Sequence, residues 1–158
     1  MKPGKQRILA VAARTERIGC VVIENGELSY WIGSAEMAKD ADQATKQLRV
    51  WVREFQPDVF VSENPDAPGK KSGVQLAILK AFCAIGEDEP IINLVVRRER
   101  PCRNVYEEAR QLAEAFPELL GIVPQKPPIW KKEPYNLVFF EALALVRDAG
   151  LLQPSEGR

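Results

Sequence analysis

The dipeptide Asn25-Gly26 stands between two apolar runs, "RIGCVVIE" and "LSYWIG", and it constrains the fold more than any other feature. A two-residue hairpin turn needs positive φ at both central residues, which Asn and Gly tolerate best. The two runs are therefore expected to pair as an antiparallel hairpin. A further apolar run at residues 7–13, "RILAVAA", reads as a buried strand ahead of it. Three successive strands with one tight turn predict an antiparallel meander.

From residue 40 the period changes from two to that of a helix. Ala44, Leu48, Trp51, Val52 and Phe55 fall at helical spacing. Asp40 with Gln43 forms a capping box, and Pro57 marks the stop. "DVFVSEN" is a fourth strand. "SGVQLAILKAFCAIG" is a second helix, with an apolar stripe of Val74, Ala77, Ile78, Ala81 and Ile85 and Gly86 as its C-cap. "PIINLVV" is a fifth strand, and "NVYEEARQLAEAF" a third helix capped by Asn104 with Glu107 three residues on. A Pro-rich loop, "GIVPQKPPIWKKEP", leads to a last helix with Pro134 near its first turn. A helix between strands four and five implies a parallel crossover, whereas the first three strands are antiparallel. The expected fold is α/β: a five-stranded mixed sheet, order 3-2-1-4-5, with helices on both faces. Residues 1–150 are expected to form one domain, and 151–158 a flexible tail.

Composition narrows the chemistry. There is no histidine among the 158 residues, which excludes Ser-His and Cys-His nucleophile pairs and His-ligated metals. Any enzymatic role must fall to carboxylates, Lys, Tyr or water. Lys+Arg and Asp+Glu are 22 each, so a basic surface must be local. No apolar run approaches the roughly 20 residues of a membrane span, and "MKPGKQR" lacks the apolar segment of a signal peptide. Cys20, Cys83 and Cys102 are odd in number and have no zinc spacing, so a reduced, cytoplasmic setting is expected, with no membrane partner. Cys83 reads as core. "APGKKSG" lacks the spacing of a phosphate-binding loop.

"LVFFEALALV", residues 137–146, holds one charged residue among ten. A buried carboxylate without a partner is costly, so Glu141 must be paired, neutralised or bound to a metal. Arg147 and Lys132 are the structural candidates for its partner. Glu63 ends strand four before the turn-rich "NPDAPG", where an ordinary polar residue is equally at home.

Three segments together carry a resemblance that spans roughly residues 7–149. "ILAVAAR" resembles the "ILAIDPG" opening, "VFVSEN" the Glu-ending strand, and "FFEALALV" the "DAxDALAIA" helix of the RuvC-like Holliday-junction resolvases, which have a ribonuclease H-like fold. The resemblance implies catalytic and metal-ligating roles for Glu63 and Glu141. It also implies Mg²⁺ or Mn²⁺ as cofactor, phosphodiester hydrolysis by two metals, branched or structured DNA as partner, and a homodimer. The motifs are degenerate. Ala12 stands where the family has its strand-one Asp, and Val138 at the first acidic position of the last helix. Glu16 and Glu133 are the carboxylates that can compensate. The expected function is a nucleic-acid-binding protein with a metal-dependent endonuclease site; the alternative is a non-catalytic binding or protein-interaction module on the same fold.

Basic residues follow the same strands. Lys70 and Lys71 come after strand four, and Arg97, Arg98, Arg100 and Arg103 after strand five. Lys131 and Lys132 flank Trp130 ahead of the last helix, with Lys126 nearby. In such a sheet these loops meet at the carboxyl ends of the parallel strands, where ligands bind. They are expected to hold phosphates, with Trp130 stacking on an unpaired base.

Overall fold

A computed structural model describes residues 6–66, 71–99 and 102–152. The elements follow the expected order: β1 (Arg7–Arg14), β2 (Arg17–Glu24), β3 (Glu27–Ser34), α1 (Ala41–Phe55), β4 (Val59–Glu63), α2 (Val74–Asp88), β5 (Ile92–Val96), α3 (Val105–Ala115) and α4 (Leu137–Asp148). Short 3₁₀ turns cover Glu36–Ala38 and Pro117–Ile122.

The sheet runs β3-β2-β1-β4-β5. β1–β2 and β2–β3 are antiparallel, whereas β1–β4 and β4–β5 are parallel. Glu24 pairs with Glu27 across Asn25 (φ 56°) and Gly26 (φ 85°), the two-residue turn that this dipeptide favours. A second tight turn, Thr15-Glu16, joins β1 to β2, with Arg14 opposite Arg17 and Glu16 at φ 63°. β1 is central and covered on both faces, which is why it reads as a continuous apolar run rather than an alternation. Leu9, Val11 and Ala13 face α1 and α2, while Ile8, Ala10 and Ala12 face α3 and α4.

The helix caps form as the sequence implies. Asp40 accepts from the Gln43 amide at 2.8 Å, and Asn104 from the Tyr106 and Glu107 amides at 3.0 and 2.9 Å. Four local expectations are corrected. α2 buries Ile78, Leu79, Phe82, Ile85 and Gly86, leaving Val74 and Ala77 exposed. The large side chains Leu79 and Phe82 set its face, not the alanines. Gly86 is thus not a cap: it lies inside the helix, where a Cβ would come within 2.2 Å of Asn93 Oδ1 on β5. Pro134 precedes α4, whose N-cap is Asn136. At the other end Leu151 and Leu152, assigned to the tail, pack on the core; 153–158 lie outside the described residues.

α4 is buried on every side from Leu137 to Val146, because the sheet covers one face and α3 another. Its approach to β2 requires Gly19, where a Cβ would lie 2.6 Å from Val138 Cγ1. Gly19 pairs directly with Ala12. The small residues Ala12 and Gly19 therefore form the floor on which the first turn of α4 rests.

Candidate functional site

β4 and α4 each deliver one carboxylate to the same point. Glu63, the last residue of β4, is fully buried and shares a face with Val59 and Val61, towards α4. Glu141 is 4% exposed in the middle of α4. The Lys71 ammonium sits between them, 2.6 Å from Glu63 Oε1 and 2.9 Å from Glu141 Oε2. Arg14, at the end of β1, reaches Glu141 Oε1 at 3.1 Å. Arg98, beyond β5, brings Nε to 3.4 Å from Glu141 Oε2.

The ionic network continues outward. Arg14 also holds Glu133, at 2.7 and 2.8 Å. Arg98 donates to Glu108 at 2.7 Å and to Asp148 at 3.1 Å, and Arg147 closes the ring on Glu108 and Asp148. Four cations (Arg14, Lys71, Arg98, Arg147) thus face five carboxylates (Glu63, Glu108, Glu133, Glu141, Asp148). Of these carboxylates Glu133 is the most exposed, its side chain 31% accessible.

The two central carboxylates titrate in opposite directions. Burial pushes the Glu141 carboxyl up, but Lys71, Arg14 and Arg98 outweigh it and hold the group down at about 2. For Glu63 burial prevails. Its carboxyl is raised by desolvation despite Lys71, with the nearby Glu141 charge adding to the rise. Glu63 Oε2 is buried without a hydrogen-bond partner, consistent with a carboxylate that has too few compensating groups.

The structure thus brings Glu63 and Glu141 together, as expected, but it redirects several neighbours. Lys71 and Arg98, expected on the nucleic-acid face, are turned inward onto carboxylates. Arg147 and Lys132 are not the partners of Glu141; Lys132 pairs with Glu16 at 3.1 Å. Glu16 and Glu133 do not supplement the carboxylate pair, because Lys132 and Arg14 engage them. Lys70 and Arg100 lie outside the described residues. Arg97, Arg103, Trp130, Lys131 and Lys132 are exposed. Arg14 escaped the sequence reading, although it lies two residues beyond Ala12 on the same side of β1 and so faces α4.

A divalent metal does not fit these residues. Three of the four oxygens of Glu63 and Glu141 are engaged by internal cations. Ala12 and Val138 supply no ligand and are packed in the core. Among the described residues no cluster of three or more Asp, Glu, Cys or His side chains is placed to hold a metal. Hard cations such as Mg²⁺ need several oxygen ligands with vacant lone pairs, so this arrangement supports no hydrolytic step through a metal.

Beside this centre lies a cavity of about 740 Å³, between the β1–β2 turn, the 35–39 segment and the loop before α4. Arg14, Arg17, Lys39, Lys132, Glu133 and Tyr135 are among its lining residues. The Arg17 guanidinium lies over the Tyr135 ring, 4.5 Å from its centroid. Trp130, 79% exposed, belongs to the same loop as Lys132 and Tyr135.

Compared by sequence, the chain matches no family profile and no curated protein. Among solved structures it is similar to Thermus thermophilus RuvC in complex with a Holliday junction substrate, with a TM-score of 0.56 and 12% identity over 94% of this chain and 99% of that one. A second Thermus thermophilus RuvC structure aligns with a TM-score of 0.52 and 11% identity over the same shares. The sheet order and this similarity establish a RuvC-like, ribonuclease H-like α/β fold. No helix among the described residues is long and apolar enough to cross a membrane.

Proposed function

We propose that this protein binds branched or structured nucleic acid on the rim at the carboxyl ends of β1, β4 and β5, and does not cleave it with metal ions. The observation that carries this reading is the Lys71 ammonium between Glu63 and Glu141, which occupies the place a metal would need. Arg97, Arg103 and Lys131 are exposed in the segments that follow β5 and precede α4, and Lys132 is exposed but paired with Glu16. Arg17, Lys39 and Lys132 line the cavity beside the carboxylate centre, and Trp130 in the adjoining loop offers an exposed stacking face. Cations of this kind neutralise phosphates, and exposed aromatics stack on unpaired bases. The solved relative in complex with a Holliday junction supports branched DNA as the first substrate to try.

The test is a titration of four-way junction, single-stranded and linear duplex DNA across a salt series, with and without Mg²⁺ or Mn²⁺. Junction binding is expected, with no cleavage product in either metal. Arg97→Glu with Arg103→Glu should weaken binding and lower the salt slope by about 1 for each lost phosphate contact. Trp130→Ala should weaken binding without changing the slope. An unchanged slope in the double variant removes the rim as the binding face. Cleavage in either metal removes the non-catalytic reading, and its loss in Glu63→Gln would assign the chemistry to this centre. Absence of any DNA affinity leaves the fold as a protein-interaction scaffold.

A further inference from the structure

We propose that Lys71 is an internal counter-ion standing in for a divalent cation, so that removing its ammonium converts the Glu63–Glu141 pair into a Mn²⁺-binding site. This role belongs to the carboxylate centre alone and does not depend on nucleic-acid binding.

Two carboxylates from different elements converge on one point, both shielded from solvent. Left alone they would repel, so the fold needs positive charge between them. Lys71 supplies it from outside both β4 and α4, bridging one oxygen of each. Its side chain is 11% exposed, so the ammonium is shielded by protein on most of its surface. Arg14 and Arg98 bind Glu141 but do not touch Glu63. Lys71 is therefore the one described cation that joins the pair, as a bridging metal would. Glu63 Oε2 remains buried and unpartnered, a ligand oxygen in reserve. Without the ammonium, Glu63 Oε1 and Glu141 Oε2 would both face the space it leaves. Mg²⁺-type ions need only one or two protein carboxylates when they keep several waters, and Mn²⁺ accepts the same ligands with looser geometry.

The experiment compares the full chain with Lys71→Met, which keeps the apolar stem and deletes the charge. Thermal midpoints are measured with EDTA, Mg²⁺, Mn²⁺ and a monovalent salt at matched ionic strength. Paramagnetic broadening of the Glu63 and Glu141 side-chain resonances reports where Mn²⁺ sits. The wild type should be indifferent to both metals and show no broadening at either residue. Lys71→Met should melt lower than wild type, recover part of the loss in Mn²⁺ but not in monovalent salt, and show Mn²⁺-dependent broadening at Glu63 and Glu141 that the wild type lacks. Lys71→Met/Glu63→Gln removes one charge of each sign, so it should fold without metal and ignore Mn²⁺. Broadening at Glu63 and Glu141 in the wild type would overturn the proposal, as would a folded Lys71→Met blind to Mn²⁺. If Lys71→Met does not fold, the double variant decides. Its folding shows that Lys71 acts through charge, and its failure to fold shows a packing role and refutes the idea.

Discussion

Glu63 and Glu141 share an ammonium yet differ in what surrounds them. Glu141 faces Lys71, Arg14 and Arg98, whereas Glu63 has Lys71 and one orphaned oxygen. Their neutral replacements should therefore differ. Glu141→Gln leaves three cations crowded around a missing anion and should cost about 3–5 kcal/mol, the usual penalty for breaking a buried pair from one side. Glu63→Gln leaves Lys71 paired with Glu141 and should cost far less. Urea unfolding of both variants at neutral pH measures the contrast, and equal losses would contradict the assigned partners. The pH dependence has two opposed parts. Glu141, depressed from 4.5 to about 2, contributes stability above its ordinary value that is lost as pH falls from about 4.5 towards 2. Glu63, whose folded value is raised, contributes in the other sense: its stabilising effect is full below 4.5 and fades as pH rises through the folded value. Glu63→Gln should accordingly steepen the loss of stability on acidification, as read from midpoints between pH 2 and 6. Ala12→Asp adds a third carboxylate to a closed apolar floor. It should destabilise the fold more at neutral pH than in acid.

α4 is the element on which the site depends, because its position sets where Glu141 meets Lys71. That position rests on close packing against β2, where Val138 Cγ1 and Cγ2 and the Val138 backbone carbon lie 2.6, 3.1 and 3.2 Å from a Cβ placed on Gly19. Gly19→Ala cannot be absorbed by a side-chain rotation alone, since backbone is among the atoms met. It should cost about 1–3 kcal/mol by overpacking, and it should shift the Glu141 resonance together with the core resonances of α4. A thermal midpoint equal to wild type would show that the helix has more freedom than its packing implies. The same element explains why the Val138 position is closed to a carboxylate: its side chain presses on the strand that carries Gly19, next to Ala12. In α2 the apolar stripe was legible only in part. Small alanines and large Leu79 and Phe82 offered two overlapping faces, and the sheet selected the larger side chains because they bury more area.

At the scale of the whole molecule, the interior charges are arranged as one network linking β1, β4, the segment before α2, the end of β5, α3 and α4. A protein held this way should keep its thermal midpoint when chelator is added, whereas high salt should act on the exposed rim and leave the buried network largely unscreened. The sequence by itself determined the element order, the Asn25-Gly26 hairpin, the caps at Asp40 and Asn104, and the burial of β1 and α4. These follow from local φ preferences, backbone hydrogen bonding and apolar periodicity, all of which act over a few residues. It also marked Glu63 and Glu141 as a pair, through resemblance. What only the tertiary structure decided is the direction of the long cations. Arg98 follows the exposed Arg97 directly in sequence, and nothing local distinguishes an inward side chain such as Lys71 or Arg98 from a solvated one. Lys71 lies 70 residues from Glu141 and Arg14 lies 127 from it. Such partners are neighbours only in the folded sheet, where a carboxylate in a low-dielectric interior needs a compensating cation that no local sequence signal identifies.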